Sequence, residues 1–346
     1  MSKRSIPHGE NLSVVLSVVD GAKAYANLRK EIESAGILDR AYGFYFFLVS
    51  FDLLGFFASL YFIYVSSSLF LVALWCLIFT FFSIQFGGLM HDCGHRAIFK
   101  STKNNDIFGY FCSMLLGMVF DNWKVRHNAH HAKPNEEDED PDIEFPFIAT
   151  SGAMIKRKKG IERSFVRYQA FYYYPLGAIV SFSNRLGAFS YFLQKGFAKN
   201  WWKFAIYAVG IFLLFPLPFL IFPLSKAIVV FLVVHVSSGV YLANVFAPNH
   251  KGMPQVKKGQ KVSFMEQQIA TSRNVEGGFL TDIILVGLNY QIEHHLFTNC
   301  PRNKLKLITP YVKRLCKRLG LDYCEVNLLE TNKIIVKELH KASLSV

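Results

Sequence analysis

Three short histidine clusters stand out in this 346-residue chain because of the spacing of their members. They read His91-Asp-Cys-Gly-His95, His127-Asn-Ala-His130-His131 and Gln291-Ile-Glu-His294-His295. Residues three or four positions apart share one face of a helix, so each cluster would bring its side chains together. Imidazole binds zinc, copper, iron and nickel, and the clusters therefore indicate a metal site.

The number of histidines favours more than one metal ion. His250 lies alone between the second and third clusters and is a further candidate ligand. A tetrahedral zinc site cannot use the seven or eight imidazoles that are available here. Two metal ions are therefore predicted. The histidines that fit no pattern, interpreted as ordinary ones, are His8, His235 and His340.

The composition is that of a membrane protein. Hydrophobic residues make up 52% of the chain, with 34 Phe and 16 Tyr, which is unusual for a soluble domain. A helix that crosses a bilayer needs roughly 20 apolar residues. Four stretches meet this need and fall into two pairs: residues 44–65 with 69–90, and 202–222 with 227–246. The predicted fold class is all-α, a multi-pass membrane protein with four transmembrane helices.

The positions of Lys and Arg predict the orientation, because short basic loops stay on the cytoplasmic side. Of the 38 basic residues, 37 precede residue 44, lie between residues 91 and 203, or follow residue 249; the exception is Lys226. Both termini, the central loop and all three clusters should therefore be cytoplasmic, where a helical cap would hold the metal site. No cleavable signal peptide is expected, and a bacterial inner membrane and an endoplasmic reticulum membrane both fit.

Other partners and ligands are disfavoured by the remaining composition. The net charge of +13 comes from residues that flank membrane spans, so anionic membrane lipids are predicted partners and nucleic acid is not. The six cysteines form no CxxC pair and are expected to be reduced thiols. Cys93 lies within the first cluster, but on a helix it points away from His91 and His95 and is not a predicted ligand.

The kind of metal chemistry follows from what is absent as well as what is present. Zinc hydrolases need a general base beside their ligands, as in HExxH. That motif does not occur in the sequence, and Glu293 precedes His294 in the wrong order. A pair of irons that reacts with O₂ accounts for both the surplus of ligands and the hydrophobic setting.

The order HDCGH, HNAHH and QIEHH, with four spans in two pairs, resembles the integral-membrane fatty acid desaturases over about residues 40–300. The resemblance implies a di-iron ligand set of His91, His95, His127, His130, His131, His250, His294 and His295. Many family members have histidine at the position of Gln291. Glutamine there is similar to the front-end desaturases, which insert a double bond between an existing one and the carboxyl end. Gln291 joins the candidate metal set, through its amide oxygen or only through water.

The resemblance also implies an activity. Such an enzyme inserts a cis double bond into an acyl chain with O₂ and two iron ions (Fe²⁺/Fe³⁺), and the metal ligands are its only catalytic residues. The fatty acyl substrate would be an acyl-lipid, acyl-CoA or acyl-carrier protein. Some front-end members carry a fused cytochrome b5 domain with an HPGG haem motif, which this sequence does not contain. Electrons are therefore expected from a separate donor, either ferredoxin or cytochrome b5.

Acidic residues near the clusters are candidates to orient the histidines, because metal-binding imidazoles commonly donate their other N–H to an acid. These candidates are Asp92, Asp121, Asp140 and Glu293. The predicted domain organisation has three parts. Residues 1–43 form a cytoplasmic N-terminal segment with an interfacial helix, residues 44–300 the membrane desaturase domain, and residues 301–346 a cytoplasmic helical tail.

Two other functions stay open. The same kind of site could serve a membrane di-iron hydroxylase or oxygenase of an alkane, a sterol or a carotenoid; the motif spacing favours desaturation. A non-catalytic membrane metal or lipid sensor is the alternative of another class. Transporters usually bind their ligands near the middle of the membrane, whereas the clusters are predicted to gather at one cytoplasmic edge.

Overall fold

The computed structural model describes residues 12–143 and 145–344, so that residues 1–11 of the predicted N-terminal segment, with His8, lie outside the described residues. The described chain is mostly helical, which confirms the all-α class in its coarse form. The α-helices are α1 (Val18–Ser34), α2 (Tyr42–Val65), α3 (Leu69–Gly94), α4 (Thr102–Leu116), α5 (Phe120–Ala132), α6 (Gly152–Arg157), α7 (Gly160–Val166), α8 (Gln169–Lys195), α9 (Trp201–Leu214), α10 (Pro216–Ile221), α11 (Leu224–His250), α12 (Phe264–Ala270), α13 (Phe279–Ile284), α14 (Gln291–Leu296), α15 (Leu305–Leu319) and α16 (Leu328–Ser343).

Short elements complete the described structure. Two 3₁₀ helices span Ala198–Asn200 and Arg302–Lys304. Strands β1 (Asn274–Val275) and β2 (Glu325–Val326) pair in parallel over two residues each. This pair is too small to change the fold class.

The chain divides into two compact units. The apolar unit consists of Arg40–Val125 and Tyr174–Ala243, and the polar unit consists of Met1–Asp39, Arg126–Tyr173 and Asn244–Val346. Three of the four unit boundaries fall within helices α5, α8 and α11, and the fourth, between Asp39 and Arg40, lies between α1 and α2.

Among the described helices, α2, α3 and α11 are long and apolar enough to cross a membrane. They contain the predicted spans 44–65, 69–90 and 227–246. Helix α3 begins at Leu69 and continues past the predicted end to Gly94, so His91 lies in its last turn. Helix α11 continues in the same way to His250. Two ligand candidates therefore sit at the ends of long apolar helices.

The predicted span 202–222 is not one continuous helix. It consists of α9, with 14 residues, and α10, with 6 residues, which meet at Phe215. Proline has no backbone N–H and its ring clashes with the preceding turn, so Pro216 ends α9 and takes the first position of α10, where proline is favoured. The apolar length of the segment predicted a span, but its prolines divide it.

Aromatic and aliphatic side chains form the core of the apolar unit. Phe79 and Phe86 of α3 pack against Phe56 of α2, with ring centroids 4.8 and 5.5 Å from that of Phe56. On the opposite face of α2, Phe47 and Leu54 each remain 72% exposed. A soluble protein rarely leaves a continuous apolar face uncovered, and this face suits contact with lipid.

The polar unit has an apolar core with many buried polar groups around it. Ile292 and Leu296 of α14 pack with Ile308 and Val312 of α15. Arg273 is fully buried, and its guanidinium donates to the carbonyl oxygens of Pro248 and Lys251 at 2.6 to 2.8 Å. Because these carbonyls flank His250, the arginine holds the end of α11 in place.

Candidate metal centre

Cluster A of the polar unit consists of His127, His131 and His294. Helix α5 places the first two on one face, and their Nε2 atoms lie 3.0 Å apart. Helix α14 brings the Nε2 atom of His294 to 3.2 Å from that of His131. All three residues are buried, and their ligand atoms lie within 4.8 Å of one another.

Cluster B of the polar unit consists of His130, His250 and His295, whose ligand atoms also lie within 4.8 Å of one another. The Nε2 atoms of His130 and His250 are 3.3 Å apart, although 120 residues separate the two in the chain. The ring of His295 lies 4.8 Å from that of His250 and 5.1 Å from that of His130. Helices α5, α11 and α14 each contribute one histidine.

The hydrogen bonds behind cluster B determine which ring nitrogens carry protons. The Nδ1 atom of His130 contacts the Asp140 carboxylate at 2.9 Å, and that of His250 contacts the Thr271 carbonyl at 3.0 Å. A carboxylate and a carbonyl accept hydrogen bonds only, so both Nδ1 atoms donate. In their neutral forms, the two imidazoles then turn unprotonated Nε2 atoms toward each other.

Gln268 supports His295 in the same way, as a hydrogen-bond acceptor for its Nδ1 atom. The Nε2 group of Gln268 donates to the His131 carbonyl at 3.1 Å, which identifies the opposite end of its amide as oxygen. That oxygen lies 2.6 Å from Nδ1 of His295. Gln268 is fully buried, so it fixes the ring of His295 and supports the backbone of His131 at once.

The donor set of both clusters fits iron. Two imidazole nitrogens that bind one metal at about 2.1 Å and at a right angle lie about 3 Å apart, close to the separations of 3.0 to 3.3 Å found here. Unprotonated nitrogens at such distances repel one another unless a cation lies between them. Imidazole is a preferred donor for iron, and a hydrogen-bonded partner behind each ring is the usual support of a metal ligand.

The charge of Asp140 favours a cation at cluster B. Burial acts to lower the pKa of His130, but the hydrogen bond and charge of Asp140 raise it above its usual value. The pKa of Asp140 is lowered: burial opposes this, and the bonds from His130 and from the backbone N–H groups of Asp142 and Asn135 outweigh it. An ionised Asp140 stabilises positive charge on the ring, from a proton or a metal ion alike.

The apolar unit holds the remaining histidines of the predicted set. His91 and His95 lie at the end of α3, with ring centroids 4.7 Å apart and ligand atoms within 4.8 Å of each other. The Nδ1 atom of His91 is 3.3 Å from the Asp92 carboxylate, which in turn accepts from the Tyr45 hydroxyl at 2.8 Å. Cys93 and the other five cysteines are buried and reduced.

Two of the four predicted acidic partners contact a histidine. Asp140 contacts His130, and Asp92 contacts His91. Asp121 instead binds Tyr110, Lys124 and Lys203 within the apolar unit. Glu293 is fully buried and accepts from Asn274 and Tyr323, each at 2.7 Å. Burial raises the pKa of Glu293, and these two bonds oppose the rise.

Gln291 lies at cluster B. Its Nε2 atom is 2.9 Å from Nε2 of His250, and its Oε1 atom accepts from Asn249 at 3.1 Å. The sequence placed Gln291 in the candidate set but missed Asn249, Gln268, Thr271 and the other supports of the site. Asn249 could have been noticed because it precedes His250. Gln268 and Thr271 lie in and after α12, which carries no recognisable motif.

Comparison with known proteins explains these clusters. The sequence matches the fatty acid desaturase family over residues 66–327. The chain belongs to the fatty acid desaturase family. This desaturase family member is 31% identical over 261 residues to "Acyl-lipid 8-desaturase" of Rebecca salina and 29% identical over 330 residues to "Delta(8)-fatty-acid desaturase" of Euglena gracilis. It is also 28% identical over 329 residues to "Delta(6)-fatty-acid desaturase fat-3" of Caenorhabditis elegans.

The matches cover much of this chain but less of its relatives. They include 70% of the chain for the Rebecca salina protein, 89% for the Euglena protein and 87% for the Caenorhabditis protein. The matched parts span 57%, 75% and 70% of those proteins' own lengths. With its apolar helices and its family, the chain is a membrane protein whose histidine clusters suit iron.

Proposed function

We propose that the protein is a membrane fatty acyl desaturase that inserts a cis double bond into an acyl chain. The main support for this function is the pair of buried histidine clusters A and B, whose ligand nitrogens lie at the spacing expected around a metal ion. In the overall reaction two adjacent methylene groups lose one hydrogen atom each. O₂ takes up these two hydrogens, two protons and two electrons from a donor, and forms two molecules of water.

The proposed ligands of two iron ions are the eight histidines of the predicted set. Clusters A and B supply six of them, and the family resemblance adds His91 and His95. Bound iron supplies the one-electron chemistry that activates O₂ toward an unactivated C–H bond. Asp140, Gln268 and the Thr271 carbonyl would hold the three imidazoles of cluster B in the required tautomer.

We further propose a multi-pass arrangement with four crossings. Helices α2, α3 and α11 are three of them. Helices α9 and α10 together contain 20 residues, which at 1.5 Å per residue span about 30 Å, the thickness of the hydrocarbon core. They are proposed as the fourth crossing despite the break at Pro216. The distribution of Lys and Arg supports a cytoplasmic location for the termini and the clusters.

The proposed substrate is a fatty acyl chain, and the proposed regiochemistry is of the front-end type. Gln291 in the third motif supports this, together with the names of relatives that carry delta-8 and delta-6 assignments. An acyl-lipid, acyl-CoA or acyl-carrier protein would present the chain. A separate ferredoxin or cytochrome b5 would deliver electrons at the cytoplasmic face, and the predicted three-part domain organisation is retained in this proposal.

Expression in a host that receives defined saturated and unsaturated fatty acids tests the proposal. Double bonds in the extracted lipids are then located by mass spectrometry. His131→Ala removes a member of cluster A, whereas His340→Ala changes an exposed histidine outside both clusters. The proposal expects a new bond on the carboxyl side of an existing one in the wild type and in His340→Ala, and none in His131→Ala. A hydroxylated product would instead assign a hydroxylase.

A further inference from the structure

We propose that Asn249 fixes the orientation of the Gln291 amide, so that Gln291 presents its N–H groups to cluster B rather than its oxygen. Gln291 is then a hydrogen-bond donor beside the iron and not one of its ligands, and Asn249 is a positioning residue behind it. This inference rests on the proposed function, because it assigns roles at the same site.

The contacts of Asn249 identify the two ends of its side-chain amide. Asn249 is fully buried, and its Nδ2 group lies 3.2 Å from the Val245 carbonyl oxygen. A carbonyl accepts hydrogen bonds only, so the end of the amide that faces it must be the nitrogen. The same Nδ2 group lies 3.1 Å from Gln291. The end of the Gln291 amide that faces Asn249 must therefore be its oxygen.

The opposite end of the Gln291 amide faces His250. This end is the Nε2 group, 2.9 Å from Nε2 of His250. His250 donates from Nδ1 to the Thr271 carbonyl at 3.0 Å, so its Nε2 carries the lone pair. A donor thus meets an acceptor. Each contact from the Val245 carbonyl through Asn249 and Gln291 to His250 has matching polarity, and turning either amide would break this match.

The distance alone would not decide the role of Gln291. A separation of 2.9 Å suits a hydrogen bond, and it also suits two neighbouring ligands of one metal. The identity of the atom decides it, because an amide nitrogen is a donor with no lone pair available for a metal. The oxygen, which could bind iron, is held by Asn249.

A consequence follows for the iron-loaded site. With iron bound, the Nε2 lone pair of His250 would go to the metal, and the N–H groups of Gln291 would need another acceptor. They can donate to a small acceptor in the site, either water or O₂. Cluster B would then offer three imidazoles, whereas a histidine at position 291 would add a fourth.

Two variants distinguish a donor from a ligand. Proteins enriched in iron-57 are purified from membranes, and their iron content and reduced-state Mössbauer spectra are compared with the wild type. Gln291→Leu should keep both irons and the wild-type spectrum, while turnover falls roughly tenfold or more because a donor has been lost. Asn249→Asp places only acceptors behind Gln291. It should turn the glutamine oxygen toward cluster B and change the spectrum.

If Gln291 is an iron ligand, the two variants should give the opposite results. Gln291→Leu would then lose iron or change the spectrum, and Asn249→Asp would leave the spectrum unchanged; that outcome overturns the proposal. Gln267→Leu is the matched control for removing a buried amide, because Gln267 donates to the Pro134 carbonyl and not to a histidine. It should keep the wild-type spectrum and turnover. If Asn249→Asp does not accumulate, Gln291→Leu alone decides whether Gln291 is a ligand.

The proposed function and this inference are tested by different measurements. The proposed function is judged on the wild type, by two irons per chain and a desaturated product. The role of Gln291 is judged on differences between variants. A productive wild type with an altered Gln291→Leu spectrum would contradict only the role proposed for Gln291 and Asn249.

Discussion

Different interactions stabilise the interior of the apolar unit and the interior of the polar unit. In the apolar unit, aromatic rings such as those of Phe56 and Phe86 pack edge to face, and many apolar side chains remain exposed. In the polar unit, fully buried polar groups such as Gln268 and Asn249 each bind two partners. Packing tolerates changes that keep volume and hydrophobicity. A buried polar network does not tolerate the loss of one partner, and clusters A and B belong to this second kind of region.

The largest effect should come from His250→Ala in the polar unit. This change removes one nitrogen from cluster B and leaves His130 and His295 with an incomplete set. The variant should lose about one iron per chain, since two imidazoles alone hold a metal weakly. Desaturation should fall to background. Iron content and product formation, each measured beside His340→Ala, check this; full iron content in His250→Ala would remove His250 from the ligand set.

A smaller effect is expected from Asp140→Asn. The amide keeps the shape of the carboxylate but loses its charge, so it no longer stabilises positive charge on His130. Iron affinity should fall about 10- to 100-fold, the usual cost of losing such a partner. Competition with a chelator measures it. Asp138→Asn, in the same loop but bound to Arg157 at the surface, is the control and should show wild-type affinity.

In the apolar unit, the positions most sensitive to substitution are glycines at which two helices come into close contact. A Cβ atom at Gly210 would lie 2.1 Å from the Met114 carbonyl oxygen, whereas one at Gly187 would meet nothing within 4 Å. Gly210→Ala should cost about 1–3 kcal/mol through overpacking. Gly187→Ala should be neutral or stabilising by up to about 1 kcal/mol. Denaturation in detergent compares the two, and equal stabilities would show that the Gly210 contact is not tight.

The smallest effect should come from the exposed ion pair of Arg29 and Glu33 on α1. The two side chains are 2.8 Å apart but about half exposed. Such pairs contribute roughly 0.3–0.5 kcal/mol. Glu33→Gln should therefore change stability by no more than this and leave iron content intact. A loss of iron here would mean that α1 supports the clusters through its surface charge, which the buried contacts do not suggest.

Sequence spacing predicted the local part of this structure well. The histidines of α5 are neighbours because they are three and four residues apart, and the long apolar helices follow from composition. Pro216 also acts locally, so the break between α9 and α10 was within reach of the sequence. The assembly of cluster B was not, because His130 and His250 are 120 residues apart. Their convergence depends on tertiary contacts such as those of Arg273, and no spacing rule reveals those.

The polar supports were harder still to predict. Gln268 serves a histidine 27 residues away, and the Thr271 carbonyl belongs to the backbone. Asn135 adopts a left-handed conformation, φ +55°, in which its N–H donates to Asp140 and its side chain to the His250 carbonyl. Asparagine tolerates this conformation better than most residues, but glutamine, threonine and asparagine occur at many other positions. Only the folded structure shows which of them act at the site.

The proposed di-iron centre is tested most directly by the metal content of the wild-type protein purified from membranes, combined with its Mössbauer spectrum after enrichment in iron-57. Clusters A and B, together with His91 and His95, predict two irons per chain in nitrogen-rich surroundings. A single iron per chain, or zinc in its place, would contradict the central claim that these histidines form a di-iron centre.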